Sequence, residues 1–124
     1  MSNIIVLGSS NTDMIVKVPR IPKPGETILG GEFIKAAGGK GANQAVAAAK
    51  SGGNVTFIAN VGDDNLGKEA VEGFKEQGMN TDFIFVDGEK PSGVALIFVG
   101  EDGENSIAVA SGANATLKPE QIRE

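Results

Sequence analysis

A glycine run that opens directly into a helix of small residues, Ala37-Gly38-Gly39-Lys40-Gly41-Ala42-Asn43-Gln44-Ala45, constrains this chain more than any other stretch. Glycine tolerates sharp turns and lets another backbone or a ligand come close. Ala45, Ala48 and Ala49 allow the helix behind it to lie tightly against a sheet. A helix that begins near Gly41 aims unpaired N–H groups at whatever sits in front of it. Lys40 adds a flexible point charge, and Asn43 a side chain that both donates and accepts. The arrangement suits a small ligand with many hydroxyls or an anionic group. A flexible glycine-rich loop with a solvated lysine is the competing reading.

Two familiar phosphate motifs do not fit. A nucleoside-triphosphate P-loop needs Ser or Thr directly after its Gly-Lys to hold magnesium, and here Gly41 follows Lys40. A dinucleotide fingerprint needs spaced glycines directly after a strand, whereas the first strand runs into Gly8-Ser9-Ser10-Asn11.

With 124 residues the chain makes one domain at most. A net charge of −5 and the lack of any basic stripe argue against nucleic acid or an anionic membrane as partner. No apolar run approaches the roughly 18 residues of a spanning helix. The first residues lack the charged and apolar blocks of a secretory leader. These features predict a cytosolic protein, so the Asn-x-Thr sequons at Asn54 and Asn114 read as chance matches. The chain has no Cys, His, Tyr or Trp. That excludes thiol and imidazole catalysis, disulfides and thiolate or histidine metal sites. Any catalytic group must come from Asp, Glu, Lys, Ser or Thr.

Residues 4–7, Ile-Ile-Val-Leu, read as a strand buried on both faces, central in a parallel α/β sheet. Asn11 and Asp13 follow at its carboxyl end, where ligands of such sheets sit, although both are also turn residues. A second strand is predicted over 14–18, stopped by Pro19, Pro22 and Pro24, and a small hairpin within 25–36. The alanine-rich helix spans 42–51 and the next strand 55–61. Asp63-Asp64-Asn65 then cap an amphipathic helix that presents Leu66, Ala70, Val71 and Phe74 on one face. The spacing of the acidic pair does not match a calcium loop. Residues 83–86 form a short strand, and 94–99 and 106–110 flank a hairpin loop at Glu101-Asp102-Gly103-Glu104. Both faces of 94–99 are apolar, so this ribbon needs cover on two sides. The helix opened by Pro119 reaches Glu124 without a stop signal, which suggests a chain cut short.

Taken in order, several segments resemble the ribokinase group of sugar kinases, the PfkB family. They are Val6-Leu7-Gly8-Ser9-Ser10-Asn11-Thr12-Asp13, Pro24-Gly25-Glu26-Thr27, Gly38-Gly39-Lys40-Gly41-Ala42-Asn43, Gly62-Asp63-Asp64, Gly93-Val94-Ala95-Leu96-Ile97 and Gly112-Ala113-Asn114-Ala115. The resemblance runs from Ile4 to Gln121. It implies an α/β fold, the N-terminal half of a ribokinase-like αβα sandwich with a small β-sheet lid. The lid strands would lie at about 14–18, 27–35, 94–99 and 105–110 within one truncated domain over residues 1–124.

The resemblance further implies phosphorylation of D-ribose, or a similar pentose, from MgATP with a monovalent cation (potassium). Asn11 and Asp13 would bond the sugar hydroxyls, and Lys40 and Asn43 would bind others. Gly38, Gly39 and Gly41 would give backbone contacts and a hinge, and Ala95 and Val109 would line an apolar wall. Lid strands in this family clasp those of a second subunit, which implies a homodimer or self-association along an open sheet edge. The family's catalytic aspartate, anion hole, nucleotide pocket and cation site fall beyond Glu124, so this chain is expected to bind no cofactor and to be inactive alone. The alternatives are a non-catalytic sugar-binding or dimerisation protein, or one half of a split kinase.

Overall fold

In the computed structural model, which describes residues 3–122, the strands are divided between two sheets. In chain order they are β1 (Asn3–Leu7), β2 (Asn11–Val18), β3 (Phe33–Gly38), β4 (Asn54–Gly62), β5 (Ile84–Asp87), β6 (Gly93–Gly100) and β7 (Asn105–Ala110). Helix α1 (Lys40–Lys50) joins β3 to β4, and α2 (Asn65–Glu76) joins β4 to β5. A 3₁₀ turn at Gly112–Thr116 and a short helix α3 (Pro119–Ile122) follow β7. The end of that last helix, expected to reach Glu124, lies outside the described residues.

Strands β1, β4 and β5 form a parallel sheet in the order β1-β4-β5. Residues of period two on β4 (Val55, Phe57, Ala59 and Val61) are all at most 2% exposed and make one face of the core. Ile4 and Val6 stand opposite Val55 and Phe57 and extend that face. Ala42 and Ala45 of α1 are buried against it. Their short side chains let helix and sheet approach closely, as the alanine pattern predicts. Phe74 of α2 meets Phe57 edge to face, with ring centroids 5.2 Å apart and planes at 84°. Asp64 caps α2 by accepting from the Gly67 N–H at 2.8 Å, so one acidic residue of the pair does the expected capping.

The second sheet has the order β3-β2-β6-β7, with β2 parallel to β6 and the outer pairs antiparallel. Its register is continuous across all four strands. Ala36, Asp13, Ala95 and Val109 form one row, and Ile34, Ile15, Ile97 and Ile107 form the row two residues along on the same face.

Three expectations need correction. Strand β1 is buried on one face only, with Ile5 70% and Leu7 49% exposed, and it pairs along a single edge among the described residues. Pairing with β4 turns Ile4 and Val6 toward the helices and leaves the alternate residues facing away. The hairpin expected within 25–36, with a lid strand at 27–35, is absent; β3 starts only at Phe33 and pairs with β2 up to Asn11↔Gly38. The preceding segment is instead held as a turn by a two-pronged Arg20–Glu26 pair at 2.6 and 2.7 Å and by Glu26 N–H donating to the Lys23 carbonyl. Finally, β2 begins at Asn11 and not at residue 14, because Asn11 already pairs with Gly38 on one side and Gly93 on the other.

The hairpin β6–β7 closes where the sequence places it, with the Gly100 N–H donating to the Glu104 carbonyl at 2.8 Å. Leu96, Ile107 and Val109 remain more than half exposed, so the described residues do not supply the cover that both faces of this ribbon call for.

Candidate functional site

Asn11 and Asp13 lie two residues apart on one strand, and strand alternation therefore points both side chains to the same face. Expected on a loop past β1, they sit instead at the start of a strand hydrogen-bonded on both edges, which is a more rigid mount. Ala95 and Val109 flank Asp13 on the β6 and β7 side in the same row. Ala95 is 5% exposed, whereas Val109 is open at 59%. The strip that results has a carboxylate at one end and an apolar wall at the other.

Gly38 and Gly39 bring the glycine run to this strip. The Asp13 carboxylate rests directly over the Cα of Gly38, in the space that a side chain would fill. Gly39 has φ 95, a left-handed conformation that L-residues with side chains rarely adopt, and it turns the chain out of β3 into α1. The N–H of Ala42 then donates to the Ser9 carbonyl at 3.0 Å, tying the first turn of α1 to the β1–β2 connection. Gly41 is buried in that contact. Lys40 and Asn43 stay exposed in the first turn, and no ion pair engages Lys40 among the described residues. Within the same residues the carboxylate of Asp13 has no hydrogen-bond partner either. The glycine run, Asn11 and Asp13 are thus gathered at one end of the four-stranded sheet.

This strip is open at its Val109 end, whereas Asn11 and Asp13 are half-buried. The neighbouring cleft of about 200 Å³ lies between β3 and α2, lined by Asn11, Thr12, Lys35, Ala36, Ala37, Glu69 and Ala70. A larger one of about 510 Å³ surrounds Asp87, Lys90, Thr116 and Gln121. Neither is lined by Asp13, Lys40 or Asn43.

Two supports were not legible in the sequence. The Asn114 carboxamide donates to Asn11 Oδ1 at 2.7 Å and to the Ser10 carbonyl at 3.1 Å, and accepts from the Ser10 N–H at 2.9 Å. Its sequence signals were a place in the Gly112-Ala113-Asn114-Ala115 segment, with no role attached, and a sequon read as a chance match. The second is Asp64, whose carboxylate accepts from the Ser92 N–H at 2.9 Å and the Ser92 hydroxyl at 2.7 Å. That hydroxyl in turn accepts from the Gly62 N–H at 2.9 Å. Burial alone would push the Asp64 carboxyl up, but the bonds from Ser92 and Gly67 outweigh it and hold the group below the usual carboxylate range. This cluster fixes the start of β6, and with it Gly93 beside Asn11.

Residues 1–124 match the pfkB family carbohydrate kinase pattern. The chain is similar to a ribokinase of Haemophilus influenzae, 45% identical over 121 residues, which cover 98% of this chain and 40% of that protein. Among solved structures it resembles the ribokinase of Giardia lamblia with a TM-score of 0.88 and 36% identity, covering 98% of this chain and 36% of that one. It also resembles an Arabidopsis thaliana ribokinase complexed with ribose and ATP, with a TM-score of 0.82 and 38% identity over 92% of this chain and 38% of the other. The chain therefore spans about two fifths of the length of the relatives it matches.

Proposed function

The chain belongs to the pfkB family of carbohydrate kinases, and we propose that it forms the sugar-binding face and lid of a ribokinase-type enzyme acting on D-ribose or a similar pentose. The observation that carries this reading is the single strip on which Asn11, Asp13, Ala95 and Val109 share one face beside the Lys40-bearing turn. Vicinal hydroxyls suit Asp13, since an ionised carboxylate only accepts and offers two oxygens. Asn11 supplies donors, and Lys40 and Asn43 reach further hydroxyls from the first turn of α1. Gly38 and Gly39 let the backbone approach the sugar, while Ala95 and Val109 cover its carbon face. The ribose and ATP held by the Arabidopsis relative support the same ligand class here.

In the whole enzyme the γ-phosphoryl group of ATP would pass to the primary hydroxyl of ribose, leaving ADP and ribose 5-phosphate. The residues of this chain bind and orient the sugar. With Asp13 assigned to the sugar, its row on the sheet (Ala36, Ala95 and Val109) offers no second carboxylate among the described residues to act as base. Phosphoryl transfer relies on positioning and charge stabilisation, and on this reading the 124-residue chain supplies the sugar side and is inactive alone.

Self-association follows from the lid. Rows of Ile34, Ile15, Ile97 and Ile107 and the half-exposed Val109 make an apolar face continuous with the sugar strip. A second copy laid on that face would cover it and close the open side of the strip.

Titration of the chain with D-ribose in a calorimeter tests the reading. Saturable heat is expected; none at millimolar ribose removes the sugar site. A coupled assay for ADP release tests the second part, and ribose-dependent turnover by this chain alone would overturn the claim of inactivity.

A further inference from the structure

We propose that Asn114 is a positioning residue that fixes the orientation of the Asn11 carboxamide, so that the sugar strip meets its NH2 group and not its oxygen. The inference rests on the sugar-site reading above and adds a residue outside the strip.

Backbone groups set the polarity of this contact. The Ser10 N–H faces one end of the Asn114 carboxamide at 2.9 Å and the Ser10 carbonyl faces the other at 3.1 Å. A backbone N–H only donates and a carbonyl only accepts, so Ser10 determines which atom of Asn114 is Oδ1 and which is Nδ2. The remaining hydrogen of Nδ2 points at Asn11 from 2.7 Å and demands an acceptor there, which is Oδ1. The Asn11 NH2 is left facing away from Asn114, with no partner among the described residues. Orientation is thus relayed from Ser10 through Asn114 to Asn11.

The surroundings keep the relay in place. A Cβ at Gly93 would run into both Asn114 Nδ2 and Asn11 Oδ1, so the absence of a side chain there makes room for the pair. Ala113 N–H donates to the Pro91 carbonyl at 2.7 Å and anchors the turn that carries Asn114. Asn114 itself is half-buried, which shields the relay from competing water.

The consequence is a rule for the ligand. At this point the site offers donors only, so it selects a sugar oxygen able to accept, while Asp13 nearby offers acceptors only. Replacing Asn114 by aspartate keeps an acceptor for the Ser10 N–H but presents only oxygen to Asn11. The Asn11 amide then turns its NH2 toward position 114 and its oxygen toward the sugar.

The test uses the 124-residue chain, D-ribose as probe, and side-chain amide exchange by NMR. In the unsubstituted chain the Asn114 NH2 protons should exchange more slowly than those of Asn11. Equal or reversed protection overturns the proposal without any variant. In Asn114→Asp the Asn11 NH2 should become protected and ribose affinity should fall by about tenfold or more, matching Asn11→Asp. The double variant should bind no worse than either single one, because both act on one contact. Additive losses, or a ribose affinity in Asn114→Asp within about twofold of the original, sink the relay. If the original chain binds no ribose but the Asn11 NH2 still becomes protected in Asn114→Asp, the relay stands and the sugar-site reading falls.

Discussion

The Asp13 carboxylate lies over the Cα of Gly38, diagonally across the β2–β3 pair, and fills the space that any side chain at position 38 would need. A methyl group there would displace the carboxylate. Gly38→Ala is therefore expected to weaken ribose binding about as much as Asp13→Ala does, by about 1–3 kcal/mol for a charged hydrogen-bonding group. Calorimetry on the two variants checks this. Unchanged affinity in Gly38→Ala would detach Asp13 from the sugar.

Acid should loosen the link between α2 and the start of β6. The folded-state pKa of Asp64 lies below its ordinary value of 3.8, with burial opposing and the bonds from Ser92 and Gly67 prevailing. A lowered folded pKa contributes stability above the unfolded value, and that contribution disappears as pH falls through the folded one. Glu26 is lowered to about 2 by its hydrogen bonds from Arg20, then by the Lys23 N–H, but it is exposed and adds little. Denaturant unfolding should therefore be flat near neutrality and lose stability below about pH 4. Asp64→Asn should flatten that acid limb; an unchanged limb would show that Asp64 does not carry it.

Core truncation should be severe because α2 is joined to β4 through an aromatic contact. Phe57 is 0% and Phe74 2% exposed, and each is the other's edge-to-face partner. Phe74→Ala is expected to cost about 3–5 kcal/mol, a large part of the roughly 5–15 kcal/mol that holds a domain folded. Circular dichroism against denaturant measures it. A loss below about 1 kcal/mol would mean that α2 is not packed on β4 as described.

Charge placed on the lid should block self-association. Ile107 is 54% exposed at the end of the isoleucine row. Sedimentation velocity should find the original chain self-associated and Ile107→Lys shifted toward monomer, with its helix content retained. A monodisperse monomer for the original chain would contradict lid-to-lid pairing.

Much of the scaffold of the candidate site was visible in the sequence because its signals are local. The glycine run, its lysine and the alanines behind it announce a tight turn into a closely packed helix, and both were found there. The family and α/β fold were legible for the same reason, from ordered short segments. The misreadings share one cause. Residues 9–13 read as a loop because polar residues followed a strand, and nothing local reveals that Asn11 has a neighbour strand on each side. Glycine pairs and prolines likewise suggested a separate hairpin near residue 30, whereas β3 takes β2 as its partner.

By itself the sequence determined the turn chemistry, the helix faces, the lack of thiol and imidazole chemistry and the family, since each depends on residues close together or on composition. Only the tertiary structure decided that Ala36, Asp13, Ala95 and Val109 share one row. It alone set Asn114 against Asn11, 103 positions earlier. Alternation along a strand says which residues share a face, but strand pairing decides which residues become neighbours, and that pairing joins segments far apart in the chain.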